Sequence, residues 1–133
     1  MLVVDASCLF EVVADTPRSG EIASRLADDV DQLAPHVIDV EVMGVIRAQY
    51  LRGQLDNTAA GQAVSDLQDW PGERFGHRRL LERAWQLRDS VRGWDAFYVA
   101  LAEAFDATLL TLDARLARAV GPTCRIEVLG AQQ

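Results

Sequence analysis

The stretch WDAFYVALAEAFDATLLTLD, residues 94–113, narrows the choice of fold more than any other. Its first half, Asp95 to Phe105, is apolar nearly all round at helical spacing, which predicts a helix covered on every side. Its second half, Thr108 to Leu112, is a short apolar run that ends on an acid, Asp113, and reads as a buried strand. The same plan opens the chain, where Leu2 to Val4 runs straight into Asp5. A wholly buried helix beside apolar strands requires a sheet with covering layers.

The remaining pattern supplies those layers. Helices are predicted from Ser7 to Ala14, Glu21 to Asp29, Val37 to Leu51, Thr58 to Trp70 and Leu80 to Leu87, and from Asp113 through Arg118. Further strands are predicted at Gln32 to Pro35, Glu73 to Gly76 and Ile126 to Leu129. Strands alternating with helices imply βαβ units. The expected fold is α/β, a three-layer α/β/α sandwich with a mainly parallel central sheet, formed by residues 1–133 as one domain. Right-handed crossovers bring the C-terminal ends of such strands to one rim, where open α/β sheets bind ligands. Asp5 and Asp113 should share that rim.

Charge and composition exclude several functions. The 133 residues carry a net charge of −7, against broad, non-specific nucleic-acid binding. All 13 basic residues are Arg, so chemistry that needs a Lys amine is excluded. Six of the 13 fall at Arg74, Arg78, Arg79, Arg83, Arg88 and Arg92, a local basic strip on an acidic chain. No apolar run approaches the roughly 20 residues of a membrane span, and the first ten residues lack a basic leader, so a cytoplasmic protein without membrane contact is expected. Cys8 and Cys124 show no CxxC spacing and read as reduced, buried residues. Neither GxGxxG nor GxxxxGK[ST] is present. One acid after the first strand, with Ser7 where a second would stand and no Lys, argues against receiver-type and haloacid-dehalogenase-like phosphoryl transfer.

Four acids occupy unusual addresses. Asp5 and Asp113 end strands, Asp95 opens the buried helix, and Glu41 falls on an apolar stripe with Ile38, Val42, Val45 and Gln49. Asp5, Asp95 and Asp113 each have a plain reading as helix N-caps. Glu41, in mid-helix, needs a cation or a hydrogen-bond partner. If the four converge, their repulsion requires a metal, and an oxygen-only donor set suits Mg²⁺ or Mn²⁺. Such an ion favours phosphodiester hydrolysis.

VVDAS, APHVIDVEV, RFGHRRLLERAWQLR and WDAFYVALAEAFDATLLTLDARLARA together resemble the PIN domain, and more narrowly the VapC-type ribonuclease toxins of bacterial toxin–antitoxin pairs, over essentially the whole chain. The resemblance implies a metal-dependent endoribonuclease acting on RNA, a transfer RNA among the candidates, with a cognate antitoxin and a homodimer as partners. It assigns Asp5 and Asp95 as direct metal ligands, with Glu41 and Asp113 holding the ion directly or through water. Ser7 matches the family's small hydroxyl residue. It and Thr111 read either as supports for the ligands or as ordinary cap and strand residues. Many relatives carry Thr-Ala-Tyr before the helix acid where this chain has Arg92-Gly93-Trp94. Arg92 reads as a phosphate contact, as a counter-charge to the acids, or as a solvated helix-end residue. Arg74, Arg78 and Arg79 read either as RNA contacts or as a solvated face. His77 is a weak candidate for a general base. Phe75, Trp85 and Trp94 are expected in the core rather than as base-stacking platforms. Leu9, Phe10, Val13, Ile22 and Leu26 offer a possible antitoxin surface or simply pack on the sheet. The competing reading of the whole chain is a non-catalytic PIN-like module that binds RNA or protein.

Overall fold

The two strands that end on acids lie side by side. In the computed structural model, which describes residues 1–130, β1 (Leu2–Val4) pairs in parallel with β4 (Thr108–Thr111), Val4 opposite Leu110. Val3, Val4, Leu109 and Leu110 have no exposed surface, which accounts for uninterrupted apolar runs in place of alternation. β2 (Gln32–Pro35) flanks β1, and β3 (Glu73–Phe75) and β5 (Ile126–Val128) form the edges. The order is β3-β2-β1-β4-β5, and every pairing among the described residues is parallel.

The chain winds from β1 out to β3, then crosses back to β4 and β5. Its helices are α1 (Ala6–Val13), α2 (Ser19–Ala27), α3 (Val37–Leu51), α4 (Asn57–Asp69), α5 (Leu81–Gln86), α6 (Asp95–Phe105) and α7 (Ala114–Ala117). Right-handed crossovers place α1 to α4 on one face and α5 to α7 on the other, because the winding direction reverses after β3. α6 spans β1, β2 and β4 while α5 covers its outer side, and α1 packs on α2, α3 and α4. Burial on both sides explains the apolar circumference of α6: Ala96, Tyr98, Val99, Ala100, Leu101 and Ala102 are all buried. The reversal also makes the gap between the C-terminal ends of β1 and β4 the topological switch point of the sheet.

Several expectations are corrected. The buried stripe of α3 is Ile38, Val42 and Ile46, and Val45 faces outward. Of the two readings of Leu9, Phe10, Val13, Ile22 and Leu26, core packing holds: all five are buried. Cys8 is buried, whereas Cys124 is half-buried. Trp85 and Trp94 are 67% and 60% exposed rather than core residues. A 3₁₀ turn at Arg78–Leu80 precedes α5, which lies within the expected helix Leu80 to Leu87. No helix among the described residues is long and apolar enough to cross a membrane.

Candidate active site

The switch point is also where the acids gather. Asp5, Glu41, Asp95 and Asp113 all line one cavity of about 680 Å³, between the strand ends, α1, α3 and the start of α6. Each arrives by a different local rule. Asp5 and Asp113 leave their strands in extended conformation and cap the following helices, Asp5 accepting from the Cys8 N–H and Asp113 from the Arg115 N–H. Capping and cavity-lining are therefore not alternatives for these two. Asp95 is not a cap, because Trp94 holds that position, and its carboxylate enters the cavity from the first turn of α6. Glu41 projects from α3, half-buried.

Asp5 is held by two matching relays. Ser7 Oγ donates to Asp5 Oδ1 at 2.6 Å and accepts from the Leu112 N–H at 3.2 Å. Thr111 Oγ1 donates to Asp5 Oδ2 at 2.5 Å and accepts from the Asp113 N–H at 3.1 Å. Each carboxylate oxygen is thus oriented by a hydroxyl that is itself oriented by the backbone leaving β4. Burial nevertheless holds the Asp5 carboxyl above the ordinary range, opposed by the hydrogen bonds from Ser7, Thr111 and Cys8.

The partner that Glu41 required is Tyr98, whose hydroxyl donates to Oε1 at 2.6 Å. Burial raises the Glu41 carboxyl, the Tyr98 bond opposes that, and the charges of Asp95 and Asp5 add to the rise. The same pressures raise Asp95: burial first, then Asp5 and Asp113, with Arg92 and Arg115 pulling the other way. Among the described residues, Asp95 receives no hydrogen bond and forms no ion pair. Asp113 moves in the opposite direction, because the Arg115 side chain pairs with it at 3.2 Å.

The donor set fits a hard cation in kind: carboxylate oxygens only, with Asp5, Glu41 and Asp95 pushed toward protonation by burial and the last two also by neighbouring acids. As the side chains stand, no three His, Cys, Asp or Glu groups among the described residues surround a single point. The hydrogen bonds explain the spacing, since Asp5 turns to Ser7 and Thr111, Glu41 to Tyr98 and Asp113 to Arg115.

The other candidates divide. Arg92 stands beside the acids, in a small hollow it shares with Asp95, Asp113 and Arg115. Arg78 and Arg79 are exposed on the turn before α5 and do not line the acid cavity. Arg74 is spent internally. It forms a two-pronged ion pair with Asp39 and donates to the carbonyls of Leu67, Trp70 and Gly72. His77 is not in the cavity; its Nε2 accepts from the Val37 N–H at 3.0 Å, at the start of α3. Sequence reasoning missed Tyr98 and Arg115. The signal for Tyr98 was present: it lies three residues after Asp95, one turn along the same side of α6.

An all-parallel α/β sandwich with acids at its switch point defines a class, and comparison with known families names it. The PIN domain family model matches residues 2–122. The chain belongs to the PIN-domain family, in its VapC group. It is 38% identical to Ribonuclease VapC1 of Mycobacterium tuberculosis over 96% of both chains. Ribonuclease VapC12 of the same organism is 35% identical over 97% of this chain and 99% of its own. Ribonuclease VapC3 is 39% identical over 89% of this chain and 86% of its own.

Proposed function

We propose that this protein is a metal-dependent endoribonuclease, the toxin of a toxin–antitoxin pair, that hydrolyses RNA phosphodiester bonds at the four-carboxylate cavity. The observation that carries the reading is the meeting of Asp5, Glu41, Asp95 and Asp113 at the β1/β4 switch point. Membership of a family whose matched relatives are named ribonucleases supports the reaction class. The partners proposed are an RNA, with transfer RNA the first to test, a cognate antitoxin protein and a second copy of the chain, in the cytoplasm.

Asp5 and Asp95 would hold Mg²⁺ or Mn²⁺, with Glu41 and Asp113 completing the set directly or through water, and the ion would neutralise the scissile phosphate and acidify a water. The chain does the rest. Ser7 and Thr111 fix the plane of the Asp5 carboxylate. Tyr98 ties down Glu41 Oε1 and leaves Oε2 as a proton acceptor; a carboxyl raised by burial suits that role near neutral pH. Asp95, free of partners, can turn toward a ligand without breaking a contact.

The test joins metal titration to mapping of RNA ends. Wild-type protein should bind Mn²⁺ calorimetrically and yield new RNA termini on induction. Asp5→Asn should lose both. A variant that keeps metal affinity and cleavage overturns the reading. The competing reading, a PIN-like module that only binds, draws on the hydrogen bonds and ion pair that now hold the acids apart. It requires wild-type protein that binds its partner without cutting RNA.

A further inference from the structure

The surface on the α5 side of the acids is built differently from the cavity itself. Three hollows follow one another there. The acid cavity shares Asp95 and Asp113 with the small hollow lined by Arg92 and Arg115. That hollow shares Val91 with a third, of about 420 Å³, lined by Trp85 and Arg88. Trp85 is 67% exposed, and the Arg88 guanidinium lies over its ring at 4.2 Å from the centroid. Carboxylates, a pair of arginines and an aromatic face with an arginine on it thus occupy neighbouring hollows, the last two meeting at the buried Val91.

We infer that this track is the seat of a single-stranded RNA segment, with a base stacked at Trp85 and phosphates on Arg92 and Arg88. The inference rests on the nuclease reading above and adds to it where the substrate lies. Each station matches one chemical part of a single strand. A base has a π face that an exposed indole can cover regardless of sequence, here on the side of the ring away from Arg88. Phosphate oxygens match guanidinium forks. The acids at the other end are where the cut would fall. The clustering matters because the chain as a whole is strongly acidic, with a net charge of −7. The rival occupant is a second copy of the chain. A two-fold interface sets the patch against a second copy of itself, so arginine-bearing surface would face arginine-bearing surface, whereas a polyanion meets opposite charge.

The experiment uses the Asp95→Asn background, so that the probe stays intact, with a fluorescein-labelled single-stranded oligoadenylate followed by anisotropy. Indole emission is read in parallel. Adding Trp85→Ala should weaken binding roughly 5- to 100-fold, the range for one lost base stack, and remove most of the quenching. Trp85→Phe should restore much of the affinity, because the stack survives. Adding Arg92→Ala should lower the salt slope of binding by about 1. Unchanged affinity in the Trp85→Ala protein overturns the inference. So does a loss of affinity that accompanies conversion of dimer to monomer in light scattering, which gives the surface to a second copy. Failure of the nuclease reading is separately visible, as wild-type protein that neither cuts RNA nor binds the probe, and it removes this inference as well.

Discussion

The threonine at position 111 does more than a strand residue needs to do. Its side chain is fully buried, its hydroxyl accepts a hydrogen bond from the Asp113 N–H, and it donates one to Asp5. Replacing it with Val keeps the shape and removes both bonds, leaving a buried carboxylate oxygen without a donor. Thr111→Val should therefore fold but bind Mn²⁺ roughly 10- to 100-fold more weakly, as when an outer partner of a metal ligand is lost. Calorimetry on the variant decides it, and unchanged affinity would reduce Thr111 to a packing residue. His77 gives the opposite case. Its Nε2 accepts a backbone proton, so that nitrogen carries none of its own, and the ring closes the N-terminus of α3. His77→Ala should cost about 1 kcal/mol in urea unfolding while cleavage stays within a few-fold. A catalytic base would instead lose 10²- to 10⁴-fold. Arg74 belongs with His77: Arg74→Ala should lower stability by about 2 kcal/mol and leave RNA affinity unchanged.

At the scale of elements, the strands and the buried helix were legible because each shows one unmixed signal. Leu2 to Val4 and Thr108 to Thr111 are apolar on both sides, and α6 is apolar all round. α3 was harder. Its residues serve two surfaces: Ile38, Val42 and Ile46 face the core, whereas Glu41, Val45 and Gln49 line the cavity. Periodicity merges neighbouring surfaces into one stripe. The Trp residues misled for a related reason. Trp85 and Trp94 follow no period that separates an exposed indole from a buried one, and composition favours the core. The internal use of Arg74 was not legible, since its partner Asp39 lies 35 positions away. The four acids were recognisable because each violated the habit of its element. Of their hydroxyl partners, Ser7 and Thr111 were recognised only as candidates, and Tyr98 was missed.

Across the whole molecule, the acid cavity sets a pH dependence with a definite sign. Burial raises the carboxyls of Asp5, Glu41 and Asp95 above their ordinary values near 3.8 for Asp and 4.5 for Glu, and neighbouring acids add to the rise at Glu41 and Asp95. The folded chain therefore keeps these protons longer than the unfolded chain does, and folding stability falls as pH rises through that window. Asp113, held low by Arg115, works in the other sense and adds stability above the ordinary Asp value. With metal removed, Asp95→Asn should be more stable than wild type at pH near 7, and the difference should shrink toward pH 4. Thermal unfolding in chelator at both pH values checks this; a difference that grows as pH falls contradicts the sign. Excess Mn²⁺ should reverse the order at neutral pH, because an ion held only by the folded wild-type chain raises its stability by mass action.

The two relays onto Asp5 reach across 105 and 106 positions of sequence. Seen as a timetable, that distance delays the site. A growing chain has Asp5 and Ser7 within its first residues, yet Thr111 and the backbone beyond it are the last supports to be synthesised. Until β4 settles beside β1, the first carboxylate has lost half of its hydroxyl support, and the cavity lacks Asp113 altogether. The protein thus assembles its acid centre only once residues through Asp113 are present, and products of translation stopped before that point carry Asp5, Glu41 and Asp95 without the arrangement.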